Sequence, residues 1–149
     1  MIEAYFSPGP NCLNHILDLI RKASTTIDVC VFTISDDRIR DVLLDAWNRG
    51  LEIRILTDNF KVFDEGSDVE FLYDNGIPIK VDTTENHMHH KFMIVDNEVV
   101  LTGSYNWTRS AEKYNQENVV SMRNATLTAK FVSEFEQLWA SCPDFSLDH

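Results

Sequence analysis

Short apolar runs alternate with helically spaced apolar residues through the first half of the chain. The runs predict four strands, at Ile2–Phe6, Ile27–Thr33, Leu51–Thr57 and Ile77–Val81. The segments between them predict three helices, one opening at Pro10 and Asn11, one capped by Ser35 and ended by Gly50, and one opened by a capping box of Ser67 with Glu70 and ended by Gly76. Strand-helix units in succession predict a largely parallel sheet covered by helices.

The second half of the chain has a different pattern. Lys91–Val95 and Val99–Thr102 are strand-like runs separated by a short polar turn, which is hairpin spacing. Glu117–Met122 predicts another strand, and Ala125–Cys142 predicts an amphipathic helix with its aromatic residues facing inward. We therefore expect one domain over residues 1–149, of the mixed α/β class, with a largely parallel sheet and helices on both faces.

The composition is that of a globular protein, with 44% hydrophobic and 25% charged residues, but the formal net charge is −11. This excess of acid argues against a protein that grips long duplex nucleic acid over a broad face. The segment from His87 to Lys113 contains three basic and three acidic residues, so the excess lies elsewhere. We interpret the acid-rich segment Asp58–Glu85 as a solvated face.

No apolar run approaches the roughly 18 residues of a membrane span, and Met1–Pro10 lacks the basic start and apolar centre of a signal peptide. The expected location is therefore the cytoplasm, unless a leader or anchor has been removed. Cys12, Cys30 and Cys142 are far apart and lack the paired spacing of metal or redox motifs. They are expected to be buried thiols.

The candidate chemistry lies between His87 and Glu117. On a strand the side-chain period is two, so His89 and Lys91 share one face and His90 points to the other. After the hairpin, Ser104 and Asn106 are again two residues apart and return beside that pair. An imidazole, an ammonium, a hydroxyl and an amide are therefore expected to converge.

This cluster suits an anionic phosphodiester. Lys91 neutralises a non-bridging oxygen, and Ser104 and Asn106 donate hydrogen bonds as charge develops in the transition state. A neutral His89 can then attack phosphorus. Because such an imidazole needs its far nitrogen held by an acceptor, we assign Glu117 the role of fixing the tautomer and stabilising the cation that forms.

At these residues the sequence resembles the phospholipase D superfamily, whose signature is His-x-Lys-x(4)-Asp, then six residues, then Gly-Ser-x-Asn. All positions of the signature are filled, by His89, Lys91, Asp96, Gly103, Ser104 and Asn106, and Glu117 stands where the family has the acidic partner of its nucleophile. The closest likeness is to small single-motif members, the bacterial Nuc-type endonucleases and the Zucchini-type mitochondrial proteins.

The resemblance implies a two-step reaction through a phosphohistidine, without a metal or other cofactor. A second histidine protonates the leaving oxygen and later activates water. Family members pair two copies of the motif around a two-fold axis, and this chain carries one copy. The resemblance therefore implies a homodimer in which His89 of each subunit contributes to one shared site.

Several of these residues have a second interpretation. Asp96 at a hairpin turn favours a structural hydrogen-bonding role over direct chemistry. Gly103 is expected to permit close backbone packing or the approach of substrate. The three histidines His87, His89 and His90 suggest a metal site only weakly, because adjacent strand residues point apart. His87 remains an alternative general acid within the chain, and His90 is expected to pack behind the site.

The residues around the motif are candidates for contact with substrate. Tyr105 and Trp107 flank Asn106 and either stack on unpaired bases or belong to the core. Arg109 and Lys113, four residues apart on one predicted helical turn, are candidates for contacts to flanking phosphates or form a plain solvated surface.

Three functional classes remain. The leading hypothesis is a nuclease for single-stranded or flexible nucleic acid, because a shared site at a dimer seam forms a narrow groove that a thin polyanion can enter. A phospholipase of the cardiolipin-hydrolase kind is the main alternative, although the chain has no evident basic stretch or exposed apolar run for docking on a membrane. A non-catalytic module that retains a phosphate pocket is the third class.

Overall fold

The computed structural model describes residues 1–147, apart from the side chain of residue 60. The strands are β1 (Ile2–Phe6), β2 (Thr26–Val31), β3 (Glu52–Asp58), β4 (Ile79–Asp82), β5 (Lys91–Val95), β6 (Val99–Gly103) and β7 (Asn118–Arg123). The helices are α1 (Asn11–Lys22), α2 (Asp37–Asn48), α3 (Asn59–Val62), α4 (Val69–Asp74), α5 (Arg109–Lys113) and α6 (Ala125–Ser141). The predicted elements are therefore all present, including the helical turn at Arg109–Lys113 as α5, and α3 is a short addition.

The strands form one seven-stranded mixed sheet in the order β1-β7-β6-β5-β2-β3-β4. Strands β2, β3 and β4 pair in parallel, and the remaining neighbours pair antiparallel. The mixed α/β class is confirmed, and only β5 and β7 run against the direction of the other strands. The sheet contains fewer parallel strand pairs than the succession of strand-helix units predicted. The reason is that β1 pairs with β7, and the β5–β6 hairpin lies next to β2.

Helices cover both faces of the sheet, as the sequence predicts. Alternate side chains of each central strand point to opposite faces. Val29 and Met93 pack with α1 and α2 in the larger core, whereas Cys30 and Phe92 pack with Phe135 of α6 on the other face. Alternate residues of β2 and β5 therefore contribute to two different hydrophobic cores, one on each face of the sheet.

Two predicted helix starts are shifted by one residue. The N-caps are Asp36 and Asp68 rather than Ser35 and Ser67. The Asp36 carboxylate accepts a hydrogen bond from the backbone N–H of Arg38 at 3.0 Å, and a carboxylate is an equally good cap. Asp68 makes no side-chain cap hydrogen bond. Ser67 Oγ accepts from the backbone N–H of Val69, at 3.4 Å, and not from that of Glu70, so the predicted capping box does not form.

The cysteines Cys12, Cys30 and Cys142 are buried and free, as expected. Within residues 1–147, no helix has the length and apolar character needed to cross a membrane. The solvated-face interpretation of Asp58–Glu85 is wrong for Asp58 and Asp68, which are 0% and 3% exposed. Both aspartates lie at the ends of elements, where buried backbone N–H groups need acceptors.

Candidate active site

The motif histidine and lysine meet at one end of the sheet, where β2 and β3 end and β5 begins. The backbone N–H of Phe32 donates to the carbonyl oxygen of His90 at 2.9 Å, so strand pairing extends beyond the start of β5. The Lys91 Nζ atom lies 2.8 Å from Nδ1 of His89 and 2.9 Å from the His89 carbonyl oxygen. The predicted shared face of His89 and Lys91 is therefore confirmed.

This contact determines the protonation of the imidazole. An ammonium only donates hydrogen bonds, and Nδ1 of His89 lies nearer to it, at 2.8 Å, than Nε2 does, at 3.4 Å; we therefore assign Nδ1 as the acceptor and place the ring proton on Nε2. Burial lowers the pKa of His89, and the neighbouring Lys91 lowers it further. Burial also lowers the pKa of Lys91, while the nearby Glu117 carboxylate partly opposes that shift. The site thus holds a neutral imidazole directly beside a cation.

Phe32 forms an aromatic floor beneath the pair, a role that the sequence analysis missed. Its ring is 4.7 Å from the His89 ring and 5.3 Å from the His87 ring, centroid to centroid. Its centroid lies 5.4 Å from the Lys61 ammonium and 5.7 Å from the Lys91 ammonium. The sequence gives no signal for this role, because it depends on β2 lying next to β5 in the folded sheet.

Asp58 positions the segment that leads into the motif. Its buried carboxylate accepts a hydrogen bond from the backbone N–H of Met88 at 2.9 Å and lies 3.4 Å from Nδ1 of His87. Because Met88 is itself buried, Asp58 holds the residues on either side of it at the open end of the sheet. Asp58 was missed because its acidic neighbours suggested a solvated face.

Ser104 and Asn106 reach the same end of the sheet. Ser104 Oγ accepts from the backbone N–H of Asn118 at 3.1 Å. The backbone N–H of Trp107 donates to the carbonyl oxygen of Thr33 at 3.1 Å, which holds this loop beside the end of β2. The side-chain oxygen of Asn106 is buried without a hydrogen-bond partner. Neither side chain bonds to His89 or Lys91, so their predicted contacts to phosphate stay predictions.

Glu117 directly precedes β7 and lies near Lys91. Burial lowers the pKa of Lys91, and the Glu117 carboxylate opposes part of that shift. Its backbone N–H donates to Ser7 Oγ at 3.1 Å, and its carbonyl oxygen accepts from the backbone N–H of Ser7 at 3.0 Å. Within the described residues the Glu117 carboxylate makes no hydrogen bond to His89, whose Nδ1 contacts Lys91 instead. Its role as the acceptor partner of His89 stays a prediction.

Asp96 has the structural role that the sequence favoured. It lies at the far end of β5, in a turn with φ of 55°, and its carboxylate accepts hydrogen bonds from Ser24, Thr25 and Thr26. Burial alone would raise the pKa of Asp96, but the bonds from these backbone N–H groups outweigh it and lower the pKa to about 2. Asp96 therefore ties the hairpin to the start of β2.

Tyr105 and Trp107 are not available to substrate. They are 1% and 0% exposed and belong to the core with α1 and α2, so the proposed base stacking is wrong and the core alternative is correct. Gly103 is required for close packing, because a Cβ atom there would lie 2.1 Å from the carbonyl oxygen of Asn118. Its predicted packing role is confirmed, and a role in substrate approach stays a prediction.

The remaining candidates lie around the site. Arg109 and Lys113 are exposed on α5, the single turn that the sequence predicts, and pair with no other residue that the structure describes. Their contact to flanking phosphates stays a prediction. His90 points away from His89, as expected, and its Nε2 lies 2.9 Å from a carboxylate oxygen of Glu134 on α6. No cluster of three metal-ligating side chains occurs among the described residues.

Two cavities adjoin the sheet on the α6 side. One, of about 620 Å³, lies beside the site and is lined by Met88, His89 and Cys142 among others. The other, of about 850 Å³, lies at the opposite end of the sheet, where Arg54 pairs with Asp28 and Glu136. The larger cavity contains none of the motif residues, so it carries no part of the proposed chemistry.

An exposed imidazole beside an ammonium, at the open end of a mixed α/β sheet, defines a phospholipase D-like domain. The family described as "Cardiolipin synthase, PLD-like domain" matches residues 16–139. The chain therefore belongs to the phospholipase D-like family.

The chain is also similar in sequence to known proteins over most of its length. The chain is 42% identical over 134 residues to "Mitochondrial cardiolipin hydrolase" of Chlamydomonas reinhardtii, covering 90% of this chain and 60% of that protein. It is 34% identical over 138 residues to the protein of that name from Xenopus tropicalis, covering 93% and 66%. The chain thus spans about three fifths of the length of these relatives.

Solved structures share the fold. Nuc from Salmonella typhimurium, a phospholipase D family member, has a TM-score of 0.92 at 28% identity, over 97% of both chains. NucT from Helicobacter pylori has a TM-score of 0.84 at 19% identity, over 97% of this chain and all of that one, and this likeness concerns the fold alone.

Proposed function

We propose that the chain is a metal-independent phosphodiesterase with His89 as nucleophile. The observation that carries the proposal is the contact of Lys91 with His89, since it joins a neutral imidazole to a cation on an exposed surface. A phosphodiester presents an electrophilic phosphorus next to anionic oxygens, which is what this pair complements.

The first step requires a change of tautomer. When a substrate phosphate binds, the Lys91 ammonium turns to its oxygens and leaves Nδ1 of His89. The ring proton then resides on Nδ1, which donates a hydrogen bond to the Glu117 carboxylate, and the Nε2 lone pair attacks phosphorus. A P–N bond forms and a P–O bond breaks. The leaving oxygen takes a proton from a second imidazole, which must enter this step as an imidazolium and leaves it neutral.

The second step returns the enzyme to its starting state. Water attacks phosphorus, gives its proton to the second imidazole, and the P–N bond breaks. We propose that this imidazole is His89 of a second subunit, so that the active species is a homodimer. His87 is the alternative within one chain, because its ring also contacts Phe32 and its Nδ1 lies 3.4 Å from Asp58.

The favoured substrate is single-stranded or flexible nucleic acid. The net charge of −11 opposes a broad grip on duplex, whereas a thin strand needs only a local cationic site. Phe6 pairs with Asn118, the residue after Glu117, and Tyr114 is the C-cap of α5, three residues before Glu117. Both rings, 68% and 75% exposed, are candidates for stacking on unpaired bases. Such stacking replaces the role first expected of Tyr105 and Trp107.

A lipid phosphodiester is the second candidate, favoured by the relatives named mitochondrial cardiolipin hydrolase. The same exposed Phe6 and Tyr114 suit insertion into a lipid surface. The reaction at phosphorus is identical for both substrates, and a cytoplasmic location stays a prediction.

The test is cleavage of labelled single-stranded DNA, single-stranded RNA and cardiolipin vesicles in EDTA. His89→Ala should abolish cleavage, whereas His90→Gln, on the opposite face, should retain it. Cleavage of nucleic acid but not cardiolipin supports the favoured substrate, and the reverse supports the second candidate. Equal cleavage by His89→Ala, or no cleavage of any substrate, contradicts the phosphodiesterase proposal.

The shared site is tested by the mass of the active species. We expect an active dimer in solution, and His87→Gln should keep most of its activity. Activity confined to a 17.2 kDa monomer would contradict the shared site, and loss of activity in His87→Gln with the dimer intact would favour His87 as the proton donor.

A further inference from the structure

Lys61 lies beside the candidate active site but belongs to no part of the motif. It is on α3, which begins directly after β3 ends at Asp58. Its ammonium lies 5.4 Å from the centroid of Phe32, the ring that also carries Lys91 at 5.7 Å. One buried aromatic ring therefore has both cations in contact with it.

The position of Lys61 is fixed by its neighbours, while its charge remains available. Val62, the next residue, is 3% exposed, and Asp58 before α3 is fully buried. Lys61 forms an ion pair with Asp64, at 3.5 Å, and both side chains are more than one-third exposed. An exposed pair of this kind contributes between zero and about 1 kcal/mol, so a phosphate can displace it.

The proposed reaction leaves a second anionic group to be bound. In that reaction Lys91 neutralises the scissile phosphate and has no charge left for a neighbouring one. A nucleic acid strand brings a phosphate on each side of the scissile group into a protein with a net charge of −11. A second cation at the site offsets this repulsion.

We propose that Lys61 binds the phosphate adjacent to the scissile phosphate of a nucleic acid strand. This inference rests on the proposed function, and it makes Lys61 a binding residue that selects substrates with more than one phosphate. Phe32 sets the separation of the two cations, because both ammonium groups rest on its ring.

The experiment compares Lys61→Gln with Lys130→Gln, an exposed lysine of α6 that lies outside the site. Each variant is assayed on a ten-residue single strand and on a dinucleotide with one internal diester and no terminal phosphate. We expect Lys61→Gln to raise KM about five-fold on the longer strand, with kcat nearly unchanged, and to leave kcat/KM on the dinucleotide at the wild-type value. Lys130→Gln should match wild type on both.

Binding gives a readout that does not need turnover. In a His89→Ala background, Lys61→Gln should reduce the slope of log affinity against log salt by about 0.7 for a single strand, as expected for one lost phosphate contact. An unchanged KM and slope, or an equal loss on the dinucleotide, overturns the assignment of Lys61. If wild type cleaves no nucleic acid, the proposed nuclease activity fails, whereas the salt slope still decides whether Lys61 binds a phosphate.

Discussion

The Lys91 ammonium lies 2.8 Å from Nδ1 of His89, so the two functional groups of the motif are in direct contact before any substrate is present. Burial and this contact both lower the pKa of His89, and the contact also places the ring proton on Nε2, the atom that attacks phosphorus in the proposed mechanism. In the proposed mechanism, binding of phosphate by Lys91 is therefore coupled to activation of His89, and an isolated histidine at this position would lack that coupling.

Lys91→Gln should raise the pKa of His89. Burial is the larger cause of the lowered pKa, and the positive charge of Lys91 is the next. The substitution removes that charge and leaves the burial unchanged. NMR titration of the His89 ring protons measures the change directly, and the wild-type pKa should be the lower of the two. The rate should also fall by at least about 100-fold, because a phosphate contact is lost. A lower or unchanged pKa would contradict the role of Lys91.

Phe32→Leu should reduce kcat without unfolding the protein. The substitution keeps an apolar side chain but removes the ring that contacts His87, His89 and both lysines. We expect a fall of about ten-fold, since small displacements of a nucleophile are costly, and recovery of most of the rate in Phe32→Tyr. If Leu and Tyr variants behave alike, the ring has only a packing role.

The sequence was sufficient for the strands and for the pairing of His89 with Lys91, because both depend on local periodicity. It was not sufficient for Phe32 or Asp58. Their roles depend on β2 and β3 lying next to β5 in the folded sheet, and strand order is a long-range property. The same limit explains Tyr105, because a loop beside a polar motif gave no sign that its aromatic side chain enters the core.

Gly103→Ala should destabilise the protein by about 3 kcal/mol. The new Cβ would lie 2.1 Å from the carbonyl oxygen of Asn118, so β6 and β7 must separate at the site. Gly50→Ala is the matched control, because φ there is +96° but no atom lies within 4 Å of the added carbon. It should cost only the backbone strain of about 1 kcal/mol. Urea unfolding measures both, and equal losses would contradict the steric explanation.

Asp96→Asn tests whether the aspartate of the motif acts through stability. Asn tolerates the φ of 55° at this turn, so the change removes the charge with little backbone strain. The pKa of Asp96 is about 2 in the folded protein, below its value of 3.8 in the absence of the fold, which corresponds to about 2 kcal/mol.

Because the folded pKa of Asp96 is depressed, its stabilisation is fully present above about pH 4 and is lost as the pH falls towards 2. The unfolding free energy of Asp96→Asn should therefore be about 2 kcal/mol below wild type at pH 7, and the difference should shrink by pH 3. Asp45→Asn, at an exposed position of α2, should show no comparable pH dependence.

Folded Asp96→Asn should retain wild-type kcat, because Asp96 lies at the opposite end of β5 from His89. A constant stability difference across this range, or a large loss of kcat in fully folded protein, would show that the carboxylate acts in another way.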